Sequence, residues 1–157
     1  MVEARAILLR DAVKADLPAI VALLADDPIA AGRETPADPL PDSYAAAFDA
    51  MTAQPGNVVI LAEIEGRIAG CLQLTFIPGL TRTGSLRAQV EGVRVAGGWR
   101  GHGIGETLMQ EAIRRSREAG CGLIQLTTDQ GRTDARRFYE RLGFTASHFG
   151  MKLALDG

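Results

Sequence analysis

Between Val93 and Gly120 the chain reads VRVAGGWRGHGIGETLMQEAIRRSREAG. Five of the nine residues from Gly97 to Gly105 are glycine, and Arg100 stands among them. The rest of the stretch has the apolar spacing of one long helix. Glycine is costly to order, so a cluster of it just before a helix needs a reason. A glycine turn that opens a helix exposes several backbone N–H groups, aimed the same way as the positive end of the helix dipole. Together they form an anion site, best suited to phosphate. Glycines let the backbone approach such a ligand without a Cβ in the way, and Arg100 adds a charge that phosphate can pair with.

Three phosphate loops compete for this reading. The Walker loop needs a lysine followed by serine or threonine, and neither lysine of the chain is so placed. The dinucleotide fingerprint needs three glycines at offsets of two and three; Gly101 and Gly103 meet the first offset, but Glu106 occupies the third position. That fingerprint also follows the first strand of a parallel sheet, whereas a meander precedes the glycines here. The third option is the pyrophosphate loop of coenzyme A acyltransferases.

The elements around the loop decide what it can serve. ARAILLR, residues 4–10, reads as a first strand. Leu17, Ile20, Val21 and Leu24 have helical spacing, with Asp16 as N-cap and Pro18 in the first turn. DPIAAGRETPADPLP carries four prolines in fifteen residues and is a loop, and DSYAAAFDAMTA is a second helix. NVVILAEIEGRIAGCLQLTFI reads as two strands turning at Glu65-Gly66. PGLTRTGS connects to a third strand, LRAQVEGVRV, with Val90, Val93 and Val95 apolar. After the glycines come a helix from about Ile104 to Ala119, the buried strand CGLIQLTT, a helix in TDARRFYERLG capped by Thr133 or Asp134, and a last strand HFGMKLAL. The meander implies antiparallel pairing, and the strand–helix–strand from Leu86 to Thr127 a parallel crossover. The fold class is mixed α+β, in one domain over residues 1–157.

With these elements in order, the chain resembles the GCN5-related N-acetyltransferase (GNAT) superfamily. The central motif of that family, R/Q-x-x-G-x-G/A opening a helix, is met by Arg100-Gly101-His102-Gly103-Ile104-Gly105. Its later motif, A-x-x-F/Y-Y-x-x-x-G-F, is met by the run from Ala135 to Phe144, which includes Phe138 and Tyr139. The resemblance implies a mostly antiparallel mixed sheet flanked by helices, whose central parallel strands splay around acetyl-CoA. It implies that the N–H groups from Arg100 to Gly105 hold the pyrophosphate, that Val93, Arg94 and Val95 hydrogen-bond the pantetheine arm, and that Phe138 lies in the cofactor site. Where the family often has asparagine, seven residues before its tyrosine, this chain has Arg132, which could meet the 3′-phosphate.

Amine acetylation by a thioester must remove a proton from the amine, stabilise the carbonyl oxygen and protonate the leaving thiolate. The Val93 N–H can serve the oxygen and the Tyr139 phenol the sulfur. Glu91 is the candidate base, because a carboxylate interrupting a half-buried apolar strand is costly unless paired or useful. Tyr139 as a core residue and Glu91 as a solvent-facing or salt-bridged one are the alternatives. For the whole chain, the rival is a non-catalytic acyl-CoA-binding or sensing domain, and a nucleotide-binding protein using the same glycines is more remote.

Bulk properties bound the partners. A net charge of −2, 46% hydrophobic and 23% charged residues describe an ordinary globular chain and argue against a general nucleic-acid binder. No stretch approaches the roughly 20 apolar residues of a membrane span, and the apolar run after Glu3 is too short for a secretory signal. Two cysteines and two histidines make neither a disulfide framework nor a metal site. The expected setting is the cytoplasm. The acceptor side falls on AAGRETPADPLPDSY and FIPGLTRTGSLR, whose mixed charges suit a small polar amine or a peptide terminus. Oligomeric state is not readable from the sequence; a homodimer follows only by analogy with the many relatives that pair through sheet edges.

Overall fold

The computed structural model describes residues 5–156. Five strands form one sheet in the order β1 (Leu8–Asp11), β2 (Asn57–Ile64), β3 (Arg67–Ile77), β4 (Arg87–Val95) and β5 (Leu123–Leu126). The first three pairings are antiparallel and β4–β5 is parallel. The β2–β3 turn has left-handed Glu65 and Gly66, at φ 51° and 76°, the conformation that matches the twist of a tight hairpin. Helices α1 (Leu17–Ala25) and α2 (Asp42–Ala53) precede β2. A single turn α3 (Thr81–Gly84) joins β3 to β4, α4 (Ile104–Glu118) joins β4 to β5, and α5 (Thr133–Arg141) follows β5.

Alternation along the strands sorts the side chains onto two faces. Ile60, Leu72, Leu74 and Val90 pack against Ile104, Leu108, Met109 and Ala112 of α4. Leu61 and Cys71 pack against Ile20 and Leu23 of α1 on the other face. Burying each of the large side chains among these contributes about 1.5–3 kcal/mol, so both layers fix the sheet from either face. Among the described residues, no helix is long and apolar enough to cross a membrane, and no group of three or more His, Cys, Asp or Glu side chains is placed to hold a metal.

Four local expectations need correction. The first strand begins at Leu8 rather than Ala4, which lies outside the described residues, as does Glu3. Asp16 stands at the N-cap of α1 as expected, but its carboxylate does not cap the helix; it accepts the Val13 N–H at 2.7 Å and a bidentate pair of hydrogen bonds from Arg10, which hold it below the usual carboxylate range. The N-cap of α5 is Arg132, with no side-chain cap, rather than Thr133 or Asp134. Finally, no strand forms over HFGMKLAL: residues 148–156 have no regular structure and make no backbone hydrogen bond to other described residues. A strand is stable only against a partner edge, and this segment does not lie along one.

Candidate active site

The site begins where two strands part. β4 and β5 pair from Arg87–Leu123 to Val90–Leu126; β5 then ends, while β4 continues to Val95. Residues 91–95 therefore have a partner on the β3 side only. The cause lies in the sequence around Gly92. At φ 60° this residue forms a bulge, two residues of β4 facing the single Leu72 between the pairs Cys71–Arg94 and Gln73–Glu91. The bulge shifts the alternation by one, so Val90, Val93 and Val95 all pack on the α4 side. The carbonyls of Val93 and Val95 are free of the β3 ladder and accept N–H groups from Arg94 Nη1 at 2.9 Å and Arg100 Nε at 3.4 Å. The N–H of each residue points the same way as its carbonyl in a strand, so Val93 and Val95 present donors to the gap.

The glycine segment closes one end of this gap. Gly101 and Gly103 are left-handed, at φ 79° and 78°, which explains glycine at both positions. A Cβ built on either would meet no atom within 4 Å, so the open side of the turn has room for a ligand. Gly105 serves a different need: a Cβ there would lie 3.4 Å from Phe138 and 3.7 Å from Val95, so its absence brings α4 against α5 and β4. Gly103 is the N-cap of α4 and no side chain caps it; Thr107 is the first residue whose N–H bonds back, to the Gly103 carbonyl at 3.0 Å. The N–H groups of Ile104, Gly105 and Glu106 are thus available to an anion. Arg100 is exposed and only 3.7 Å from Asp26, a loose pair that leaves its charge at the loop. The His102 ring is engaged within the loop, at 3.0 Å from the Arg100 carbonyl and edge-on to Trp99. The residues present fit a pyrophosphate.

Tyr139 approaches from α5. Its ring packs against Phe138 and Phe144 in the α4-side core. Burial pushes its phenol above the usual value, and the charges of Arg94 and Arg132 partly offset that push. Those two charges place the phenol in the neighbourhood of the β4 residue Arg94, on the strand that borders the gap. Glu91 lies on the opposite, α1-side face, across from Gln73. The half-burial expected of Glu91 is not found: its side chain is exposed, because β5 has ended where Glu91 stands. Around it the sheet presents a polar floor: Gln125 donates to Gln89 at 2.8 Å, and Gln73 and Thr75 bond Asn57.

Sequence reasoning missed Asp27. This residue follows α1, is 5% exposed, and accepts Arg94 Nη2 at 2.9 Å, Arg132 Nη2 at 2.5 Å and the Ile29 N–H at 3.1 Å. The Arg132 hydrogen bond, with help from Arg94, holds its carboxyl below the usual range despite burial. The Arg132 guanidinium, which the resemblance offers to the 3′-phosphate, is thus shared with Asp27 through Nη2. It ties the start of α5 to the segment after α1, next to the gap. The cluster of two guanidiniums and one carboxylate keeps one positive charge in excess beside Tyr139, and the Arg94 Nε is buried with no partner among the described residues. No local pattern marks Asp27, whose partner Arg132 is 105 residues away.

Comparison with known proteins agrees with this geometry. A family model described as Acetyltransferase (GNAT) family matches residues 17–144. The chain is 33% identical over 126 residues to a glucosamine 6-phosphate N-acetyltransferase of Trypanosoma brucei brucei, covering 79% of this chain and 84% of that relative. It is 31% identical over 144 residues to an L-methionine sulfoximine/L-methionine sulfone acetyltransferase of Pseudomonas paraeruginosa, covering 88% and 80%. Among solved structures, one from Bacillus halodurans C-125, described as a transcriptional regulator, superposes with a TM-score of 0.93 at 48% identity over 96% of this chain and all of that one.

Proposed function

The chain belongs to the GNAT acetyltransferase family and is an N-acetyltransferase; on that premise we propose that it moves an acetyl group from acetyl-CoA directly to the primary amine of a small acceptor bearing an acidic group. The observation that carries this reading is the gap beyond Val90–Leu126 with uncapped helix N–H groups at one end; Tyr139, close enough to feel the charges of Arg94 and Arg132, supports it. Acetyl-CoA supplies a thioester carbonyl open to attack. The N–H groups from Gly101 to Gly105, with Arg100, hold its pyrophosphate, and Val93 and Val95 hold the arm and polarise the carbonyl oxygen. Tyr139 keeps its proton through the neutral range and gives it to the departing sulfur. Glu91, exposed on the acceptor face, takes the amine proton through water. Neither cysteine is a ready nucleophile: burial pushes the Cys71 thiol up to about 11 and raises Cys121 as well, which favours direct transfer over an acyl-enzyme. Two unpaired cysteines also suit a cytoplasmic setting.

The acidic group on the acceptor follows from charge. Arg94 and Arg132 together outweigh Asp27, and their excess charge lies beside the gap. The substrates named for the two relatives, a sugar-amine phosphate and amino acids, are amines that also carry an acid.

The decisive test is calorimetric titration with acetyl-CoA, with ATP and NAD as controls. Selective acetyl-CoA binding is expected. Gly103→Val should weaken it by about tenfold or more, since a branched side chain is strained at this φ and fills the ligand side of the turn. A melting curve separates this effect from unfolding. No acetyl-CoA binding at millimolar ligand would overturn the reading. Thiol release should then favour amines bearing phosphate or carboxylate over their neutral counterparts by about tenfold or more in kcat/KM.

Glu91 has its own signature. An alkyl ammonium loses its proton near pH ~10.4 unaided. Glu91→Gln should therefore cost about tenfold or more in kcat/KM at neutral pH, and much less near the amine's own pKa. A deficit that does not shrink with rising pH would remove Glu91 as the base.

A further inference from the structure

The α1-side face of β4 holds a cation that none of the steps above uses. Ala88 and Val90 belong to the α4-side core, so regular alternation sets Arg87, Gln89 and Glu91 on the opposite face. Gln89 is held by Gln125 of β5 at 2.8 Å. Arg87 stands between Ile77 of β3 and Leu123 of β5, two apolar neighbours that offer it no charge. It is half-buried. Its Nε is sealed from water and has no hydrogen-bond partner among the described residues. No carboxylate among those residues pairs with its guanidinium. A shielded cation with an orphaned donor costs free energy that a paired one does not. Arg94 also has an orphaned Nε, but its other nitrogens are committed to the Val93 carbonyl and to Asp27. Arg87 has no such commitment.

We propose that Arg87 reads the acidic group of the acceptor, holding its phosphate or carboxylate at the start of β4 while the amine lies beyond Gln89, at the Glu91 end. The assignment rests on the transfer to an acid-bearing amine proposed above. Cation and candidate base share one face of one strand, so a ligand lying along β4 meets both. A guanidinium fork matches a carboxylate or phosphate with two parallel N–H donors, and the orphaned state of Arg87 leaves such a ligand something to satisfy. Arg87 also ends FIPGLTRTGSLR, one of the two segments on which the acceptor side falls. The spacing then selects among acid-bearing amines. Four residues of strand put the Cα atoms of Arg87 and Glu91 about 13 Å apart. Side chains stand roughly perpendicular to a sheet, so most of that separation remains between the charged ends. The preferred acceptor therefore has several bonds between acid and amine, as in an amino-sugar phosphate or an ω-amino acid, and is not a simple α-amino acid.

The test compares aminoalkyl phosphates with amino alcohols of the same length, at saturating acetyl-CoA, for wild type, Arg87→Met and Arg87→Lys. Arg87→Met should cut the preference for the phosphate in kcat/KM by about tenfold or more. The loss should come through a raised KM, with kcat changed by less than about twofold. Arg87→Lys keeps the charge without the fork and should recover part of the preference. Methionine removes a shielded, unpaired cation, so the melting temperature should not fall. A preference that survives Arg87→Met overturns the assignment and leaves the acid-bearing acceptor standing, read elsewhere in the site. No preference in the wild type overturns that reading and the assignment with it. Chain length supplies a measurement that needs no variant. Among ω-amino acids, kcat/KM should rise by about tenfold or more as the carboxylate moves from the carbon that bears the amine to one several bonds away. Best turnover of simple α-amino acids overturns the assignment.

Discussion

Tyr139→Phe is expected to lower kcat by about 100-fold or more, the scale of a lost general acid, while acetyl-CoA affinity changes by less than about twofold and the fold is retained. The last two expectations come from packing. The ring is held edge-on by Phe138 and Phe144, at centroid distances of 5.2 and 6.0 Å, and phenylalanine keeps those contacts. The pH dependence tests the same assignment with a definite sign. An acid must be protonated to act. Burial raises the Tyr139 phenol above its usual 10.0, and Arg94 and Arg132 only partly oppose this. The wild-type rate should therefore rise with pH as the acceptor amine loses its proton, with no descending limb from Tyr139 below pH ~10. An unchanged kcat in Tyr139→Phe would make this residue a core tyrosine and nothing more.

How far the sequence reveals this site depends on how local each cause is. The pyrophosphate loop is legible because left-handed glycines and an uncapped helix start are properties of a few consecutive residues. The bulge is not read from the sequence, which shows only that Val90, Val93 and Val95 are apolar in one strand; the shift at Gly92 puts all three on one face. The ends of the strands are harder to read. Glu91 reads as half-buried on the assumption that its neighbour strand continues, but β5 ends at Leu126, level with Val90. The segment 148–156 has the periodicity of a strand, and periodicity says nothing about where the partner edge is. Asp27 is least legible: a carboxylate after a helix looks like an ordinary helix end, and only the folded chain brings it to Arg94 and Arg132.

Asp27→Asn is expected to be the most destabilising conservative change in the site, by about 2–4 kcal/mol at neutral pH. The side chain keeps its size and can still accept the Ile29 N–H. What it loses is the charge between two guanidiniums that are themselves mostly shielded from water, with 22% and 25% of their side chains exposed. Removing one partner of a shielded pair leaves the other charge uncompensated, and here two are left. The deficit has a pH window. The native Asp27 carboxyl titrates below its ordinary 3.8, so its contribution is complete above that value and is lost as pH falls through the lower native one. Urea midpoints of wild type and variant should therefore stay well apart at pH ~7 and converge towards pH ~3. A gap that is as wide at the acid end would mean that shape, not charge, holds the cluster. The cluster also bears on turnover, because Arg132 opens the helix that carries Tyr139 and Arg94 sits on the strand that carries Val93. Loosening both together displaces acid and oxygen donor from a shared geometry. In Asp27→Asn, kcat should accordingly fall more than acetyl-CoA affinity, which rests on the glycine loop at the other end of the gap.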